Sequence, residues 1–203
     1  MIALRLFLDI PFYEDVFVSK SCGGKIEDYN QHVMTCNKSN SYSHHHSDII
    51  NCAKNLCTAV ELNWALEVSP FGRHKDSLAK DQRIVDIVAF AHGKKGMDVA
   101  YGVSVANPKP LEAGMRREGE KIRKYRNDCE KNNMKFYPLV FDAYGGIPSI
   151  TLNSAVKPLI RKVKEYIPAN WAAPNAKTYW LQRFSVALWK ANACKVKFRS
   201  GIY

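Results

Sequence analysis

The sequence predicts an α/β fold: a helix, a small mixed sheet of about four strands and a second helix, extended at the C-terminus by basic helices. Three observations lead there. Two runs rich in Val, Ile, Ala and Tyr, Arg83–Phe90 and Asp98–Ala106, flank His92-Gly-Lys-Lys-Gly96, which is the pattern of a β-hairpin. Leu111–Lys131 sets Leu111, Met115, Ile122, Tyr125 and Cys129 on one stripe at helical spacing. Charge is also partitioned: residues 101–203 hold 19 Lys+Arg against 7 Asp+Glu, whereas residues 1–100 hold 11 against 12, so the net +11 belongs to the second half.

Taken in order, residues 1–10 are apolar and read as the end of a helix that Pro11 stops. Arg5 and Asp9 interrupt this run and no small-residue cleavage site follows, so a cleaved leader is not expected. No apolar run reaches the ~20 residues that span a bilayer, and no membrane partner is expected. Residues 19–46 are polar and bear Cys and His. Between Ser47 and Val60, Ile49, Ile50, Ala53, Leu56, Cys57 and Val60 follow a helical period, with Asp48 in the first turn. Trp64–Val68 reads as a strand and Ser69–Asp81 as a loop. Asn107-Pro108 ends the second hairpin strand, and Phe136–Phe141 is a further strand closed by Gly145-Gly146. Two basic helices follow: Pro158–Ile167, with Pro158 near its first turn, and Ala176–Val196, with Trp180, Leu181, Phe184, Leu188 and Ala191 on its buried face. The chain thus divides into a Cys/His segment (1–46), an α/β core (47–150) and a basic helical tail (151–203). The tail holds 10 basic residues against the single acid Glu165.

Such an imbalance concentrates polyanions by long-range attraction and counterion release, so DNA or RNA is the expected partner. The cations that would carry it are Arg116, Arg117, Arg123, Lys157, Arg161, Lys162, Lys164, Arg183 and Lys190. Tyr179, Trp180 and Trp189 lie among the last of these, either as core or as stacking platforms. Six cysteines without framework spacing fit a reduced, intracellular chain, and a nuclear location is expected.

Asp86 stands in the middle of the first hairpin strand, where an ionised carboxylate is costly unless paired or metal-bound. Two readings stand: a salt bridge to a neighbouring cation, or a Mg²⁺ ligand. On the following helix Glu118 falls inside the apolar stripe and Lys121 at its edge. They read either as a helix pair or as a lysine and a polar partner directed at a metal-bound phosphate.

The series Cys22-Gly, His32-x3-Cys36, His45-His46, Glu67, Ile84-Val-Asp86, Val103-Ser-Val-Ala-Asn-Pro108, Lys121-x2-Lys124-Tyr125, Pro138-Leu-Val-Phe-Asp-Ala-Tyr-Gly-Gly146 and Ser185-Val-Ala-Leu188 resembles the C-terminal region of non-LTR retrotransposon reverse transcriptase proteins. There a zinc knuckle precedes a restriction-enzyme-like, PD-(D/E)xK-type endonuclease core. The resemblance covers about 170 residues, and it is the order and spacing of the motifs that make it specific. It implies an α/β, PD-(D/E)xK-like core and a metal-dependent DNA endonuclease that nicks target DNA so that its 3′ end primes reverse transcription. It implies Asp86 as the first metal-binding aspartate, Lys121 or Lys124 as the catalytic lysine, and Mg²⁺ at Asp86 and a second carboxylate. Cys22, His32 and Cys36 are part of a Zn²⁺ site, with His44, His45, His46 or Cys52 as its fourth ligand, or else the segment is an unmetallated helical remnant. A reverse transcriptase region would be the natural partner.

The sequence departs from this pattern where the second aspartate belongs: Gly102 stands there. With a turn centred near residue 94, Asp86 lies opposite residue 102 and Asp98 opposite Phe90. Four residues of strand separate Asp98 from the required position, ~13 Å at ~3.3 Å per residue. Glu67 on the preceding strand is the more plausible second carboxylate. In the zinc segment Lys20 takes the position of the first cysteine.

Three function classes follow: an impaired retroelement-type endonuclease, a non-catalytic DNA- or RNA-binding module, and a host interaction protein without a nucleic-acid role. Neither a Gly-x4-Gly-Lys-Ser/Thr phosphate loop nor a Gly-x-Ser-x-Gly elbow occurs. Polymerase active-site motifs are also missing from these residues.

Overall fold

The computed structural model describes residues 17–18, 23, 25–26, 41–68, 85–93, 96–106, 112–166 and 176–200. The side chains of 17–18, 25–26, 41–45, 68, 164–166 and 195–200 lie outside that set. A short antiparallel ribbon pairs β1 (Phe17–Val18) with β2 (Lys25–Ile26). Then come α1 (Ser41–Ala59), β3 (Trp64–Val68), β4 (Val85–Ala89), β5 (Asp98–Ala106), α2 (Ala113–Lys131) and β6 (Met134–Asp142). A wide π-helical stretch, Thr151–Val156, runs into α3 (Lys157–Tyr166), and α4 (Ala176–Ser200) follows. The fold is mixed α/β, as the patterning predicts.

One sheet has the order β3-β4-β5-β6; its first two pairings are antiparallel, and β5 with β6 is parallel. Only the parallel pair needs a crossover, and α2 supplies it. The pleat sorts the side chains by parity. Val88, Ala100, Met134 and Phe136 meet Tyr125 and Cys129 of α2 on one face. Ile87, Ala89, Val99, Tyr101, Val103, Leu139 and Phe141 meet Ile49, Leu56, Leu159, Phe184 and Leu188 on the other. The basic helices therefore share the core of the sheet: Trp180, Phe184, Leu188 and Ala191 are buried and Leu181 half-buried, as the helical spacing predicts.

Several local features explain the boundaries. Helix α1 begins well before Ser47, because nothing from Ser41 to His46 breaks a helix, and it takes in the run His44–His46. It ends where Glu61 turns left-handed (φ 52°), with Leu62 N–H donating to Cys57 O (3.0 Å) and Glu61 N–H to Thr58 O (3.0 Å). Asn133 is also left-handed (φ 56°) and ends α2, its N–H donating to Glu130 O and that of Asn132 to Cys129 O (3.0 Å each). On α2 the apolar stripe holds at Tyr125 and Cys129, but Met115 is 56% exposed, beyond the edge of the sheet-facing strip. The helix expected to begin near Pro158 starts about two turns earlier. Pro158 has no N–H for the carbonyl four residues back, and the widened turn precedes it.

Candidate nucleic-acid interface

Asp86 sits on β4, next to β5 and near α1 and α2. The printed ladder pairs Ile87 with Tyr101, so the next step sets Asp86 across from Gly102, the register expected from the turn. The carboxylate is held from three sides. His46 Nε2 lies 2.9 Å from Oδ1 and Lys121 Nζ 3.6 Å from Oδ2. Val103 N–H donates to Oδ2 at 2.6 Å, beyond the last main-chain pairing of β4 with β5. Asp86 and Lys121 side chains are 16% and 14% exposed.

Burial alone would raise the proton affinity of Asp86. The His46 hydrogen bond, the charges of Lys121 and His46 and the Val103 N–H outweigh it, and the carboxyl stays below its ordinary value. Burial also lowers Lys121. The Asp86 charge opposes that, whereas Arg117 and Lys124 push Lys121 lower still. These three cations of one helix therefore feel one another. Arg117 is tied to Ser104 Oγ on β5 (Nε, 2.9 Å) and to Glu120 (2.8 Å), which points the row along the sheet. Lys124 and Lys121 lie over the Tyr125 ring, at 5.0 and 5.5 Å from its centre.

The other expected carboxylates lie elsewhere in role. Asp98 accepts from Ala91 N–H at 2.9 Å and so closes the hairpin turn, opposite Phe90 in register. Glu67 occupies the β3 position facing Asp86, but the pairing skips it, its backbone is left-handed (φ 50°) and its side chain is exposed. It makes no hydrogen bond or ion pair to another described residue. Glu118, 1% exposed, accepts from Thr151 N–H at 2.5 Å; it does not share the Asp86 cluster with Lys121. Among the described residues, no three His, Cys, Asp or Glu side chains converge as a metal-holding group.

Gly102 stands across from Asp86, where the resemblance calls for an aspartate, and its surroundings are tight. A Cβ there would lie 2.8 and 3.0 Å from two ring atoms of Phe136 and 3.3 Å from Lys121 Cδ. Phe136 is buried and packed on Tyr125, ring centres 5.2 Å apart. The volume an aspartate would need is filled.

Of the residues expected at zinc, Cys22, His32, Cys36 and the His45 side chain lie outside the described set. His46 is hydrogen-bonded to Asp86, a link that sequence reasoning did not find. The helical periodicity extended back from Ser47 was the signal for it, since it puts His46 on the same face as Ile49 and Ile50. The basic residues divide among three helices. Arg116 and Arg123 are exposed on α2; Lys157 and Arg161 are exposed on α3, Lys157 Nζ donating to Asn153 Oδ1 at 2.8 Å. Lys162 is half-buried near His92, and the Lys164 side chain lies outside the described set. Arg183 and Lys190 are exposed on α4. No described helix is long and apolar enough to cross a membrane. Compared with protein-family models and with curated proteins, the chain matches none of them.

Proposed function

We propose that this protein binds nucleic acid through phosphate contacts at a nuclease-like basic site and does not cut it. The observation that carries the reading is Lys121, set beside a carboxylate already committed to protein partners, with Arg117 and Lys124 near enough on the same helix to lower it. Arg117 and Lys124 both act on Lys121 through space, and a phosphate diester set against this helix face adds a negative charge without a proton transfer. The fold class, the Asp86–Gly102 register and the lysines on the crossover helix support descent from a PD-(D/E)xK-type endonuclease of retroelements.

Cleavage by that chemistry needs Mg²⁺ on two carboxylates. The residues present do not fit the ion. Asp86 already receives three partners, the Gly102 position has no room for a side chain, and Glu67 stands on a left-handed, exposed backbone. A protein that retains the grip of such an enzyme on DNA, or on RNA, is the reading these residues support, and a nuclear location is proposed with it.

The test joins binding to cleavage. Fluorescence anisotropy with a labelled duplex should show affinity that falls steeply as salt rises from ~50 to ~200 mM. Supercoiled plasmid with Mg²⁺ should be nicked no faster by wild type than by Asp86→Ala. Absence of salt-dependent binding refutes the proposal, and Mg²⁺-dependent nicking lost in Asp86→Ala replaces it with the endonuclease reading.

A further inference from the structure

A groove of about 410 Å³ runs between α1 and α4 on the face of the sheet away from α2. That volume falls in the ~300–1,000 Å³ range of small-ligand sites, and it is too small for a duplex. Its α4 wall presents Tyr179, Gln182, Arg183 and Lys190, and its α1 wall presents Asn51 and Asn55. Arg183 and Lys190 are two helical turns apart, ~10 Å at 1.5 Å per residue. The Arg183 guanidinium lies 5.8 Å from the centre of the Tyr179 ring, which is 50% exposed. The charge of Arg183 also reaches Cys52, which lines the same groove. Burial holds that cysteine as a thiol, pushed up to about 12, and no nucleophile is on offer.

We infer that this groove takes one unpaired nucleotide of a nucleic-acid strand. The parts match the task. A base stacks on a half-exposed tyrosine and its guanidinium partner, side-chain amides meet base edges, and cations two turns apart take the phosphates on either side. Asp48, at the same groove, offers an acceptor to an exocyclic amine. The inference rests on the nucleic-acid reading above but uses a different surface, so the two can fail separately.

The experiment is anisotropy with a labelled 12-nucleotide single strand and a duplex of the same sequence, on wild type and four variants. Arg183→Ala/Lys190→Ala and Tyr179→Ala should each weaken single-strand binding by about 10-fold or more and duplex binding by less than about 3-fold. Arg183→Lys keeps the charge and loses the planar fork, and should fall between. Arg126→Ala/Lys131→Ala removes two exposed α2 cations and should leave the single strand nearly unaffected. All these side chains are exposed, and unchanged thermal melting verifies the fold. Equal losses for both substrates, or equal displacement of the strand by polyglutamate, overturn the inference in favour of bare charge attraction or an acidic protein ligand. Wild type that binds the duplex alone overturns it and leaves the basic site standing; wild type that binds neither overturns both.

Discussion

Replacing Gly102 by alanine tests whether the position across from Asp86 is truly closed to a side chain. Carbon atoms pack best at ~3.5–4.0 Å, so a Cβ at 2.8 Å from the Phe136 ring is far inside contact. The backbone is ordinary strand, so no change in φ preference enters. The ring is 3% exposed and backed by Tyr125, which bars a simple swing outward. Overpacking of this kind costs ~1–3 kcal/mol, and each kcal/mol shifts the melting temperature of a chain this size by ~2–4 °C. Gly102→Asp adds the desolvation of a carboxylate, partly offset by Lys121, and should be no more stable than Gly102→Ala. Urea denaturation of both variants, alone and in a Phe136→Leu background that trims the ring, gives the coupling. The cost of Gly102→Ala should drop by at least ~0.5 kcal/mol in that background. A cost under ~0.5 kcal/mol for Gly102→Ala alone, or one indifferent to Phe136, would refute the packing argument.

Asp86→Ala strands the Lys121 cation and the Val103 N–H and should destabilise the fold by ~1–3 kcal/mol in urea titration. Asp86→Asn should tighten duplex binding at low salt, whereas loss of a catalytic metal ligand would not. Removing Lys124 or Arg116 should each flatten the plot of log affinity against log salt by ~1. Glu118→Ala leaves the Thr151 N–H without its acceptor and should cost ~1–3 kcal/mol by the same denaturation assay. His92 is lowered from 6.5 to about 4 by burial and by the charge of Lys162. Its neutral form is the one the fold favours, so this stability is full above pH 6.5 and is lost as pH falls toward 4. The whole shift would be roughly 3 kcal/mol, and partial exposure of the ring leaves ~1–2 kcal/mol. Urea titrations across that window should show the loss in wild type and not in His92→Gln. The Asp86 contribution disappears only lower, as pH drops below its ordinary 3.8 and through its depressed value.

The sheet was legible because strands announce themselves locally. Asp98–Ala106 is a strand to the residue, and counting from the turn places Gly102 against Asp86. A lone carboxylate in an apolar strand has few solutions, so the strand pattern alone says that Asp86 needs a partner, and the helical pattern puts Lys121 at the edge of the stripe facing it. Other pieces are long-range and carry no periodic signature. His46 reaches Asp86 across forty residues, and Glu118 finds a main-chain N–H thirty-three residues away. A ring filling the space beside Gly102 depends on the β5–β6 pairing, which no local pattern announces. Sequence spacing correctly paired Glu118 with Lys121 on one turn, but the partners that separate them belong to opposite ends of the fold.

That separation bears on how this chain tolerates insertions and deletions. Glu118 is fixed by Thr151 and Lys121 by Asp86, so two anchors three residues apart set the rotational phase of α2. One residue added between them would turn one anchor ~100° from the other, and the helix could then keep only one. The same residue added before Ala113 would be absorbed in the connection, leaving both in place. Length variants of this protein should therefore gather ahead of α2 and spare the stretch from Glu118 to Lys121.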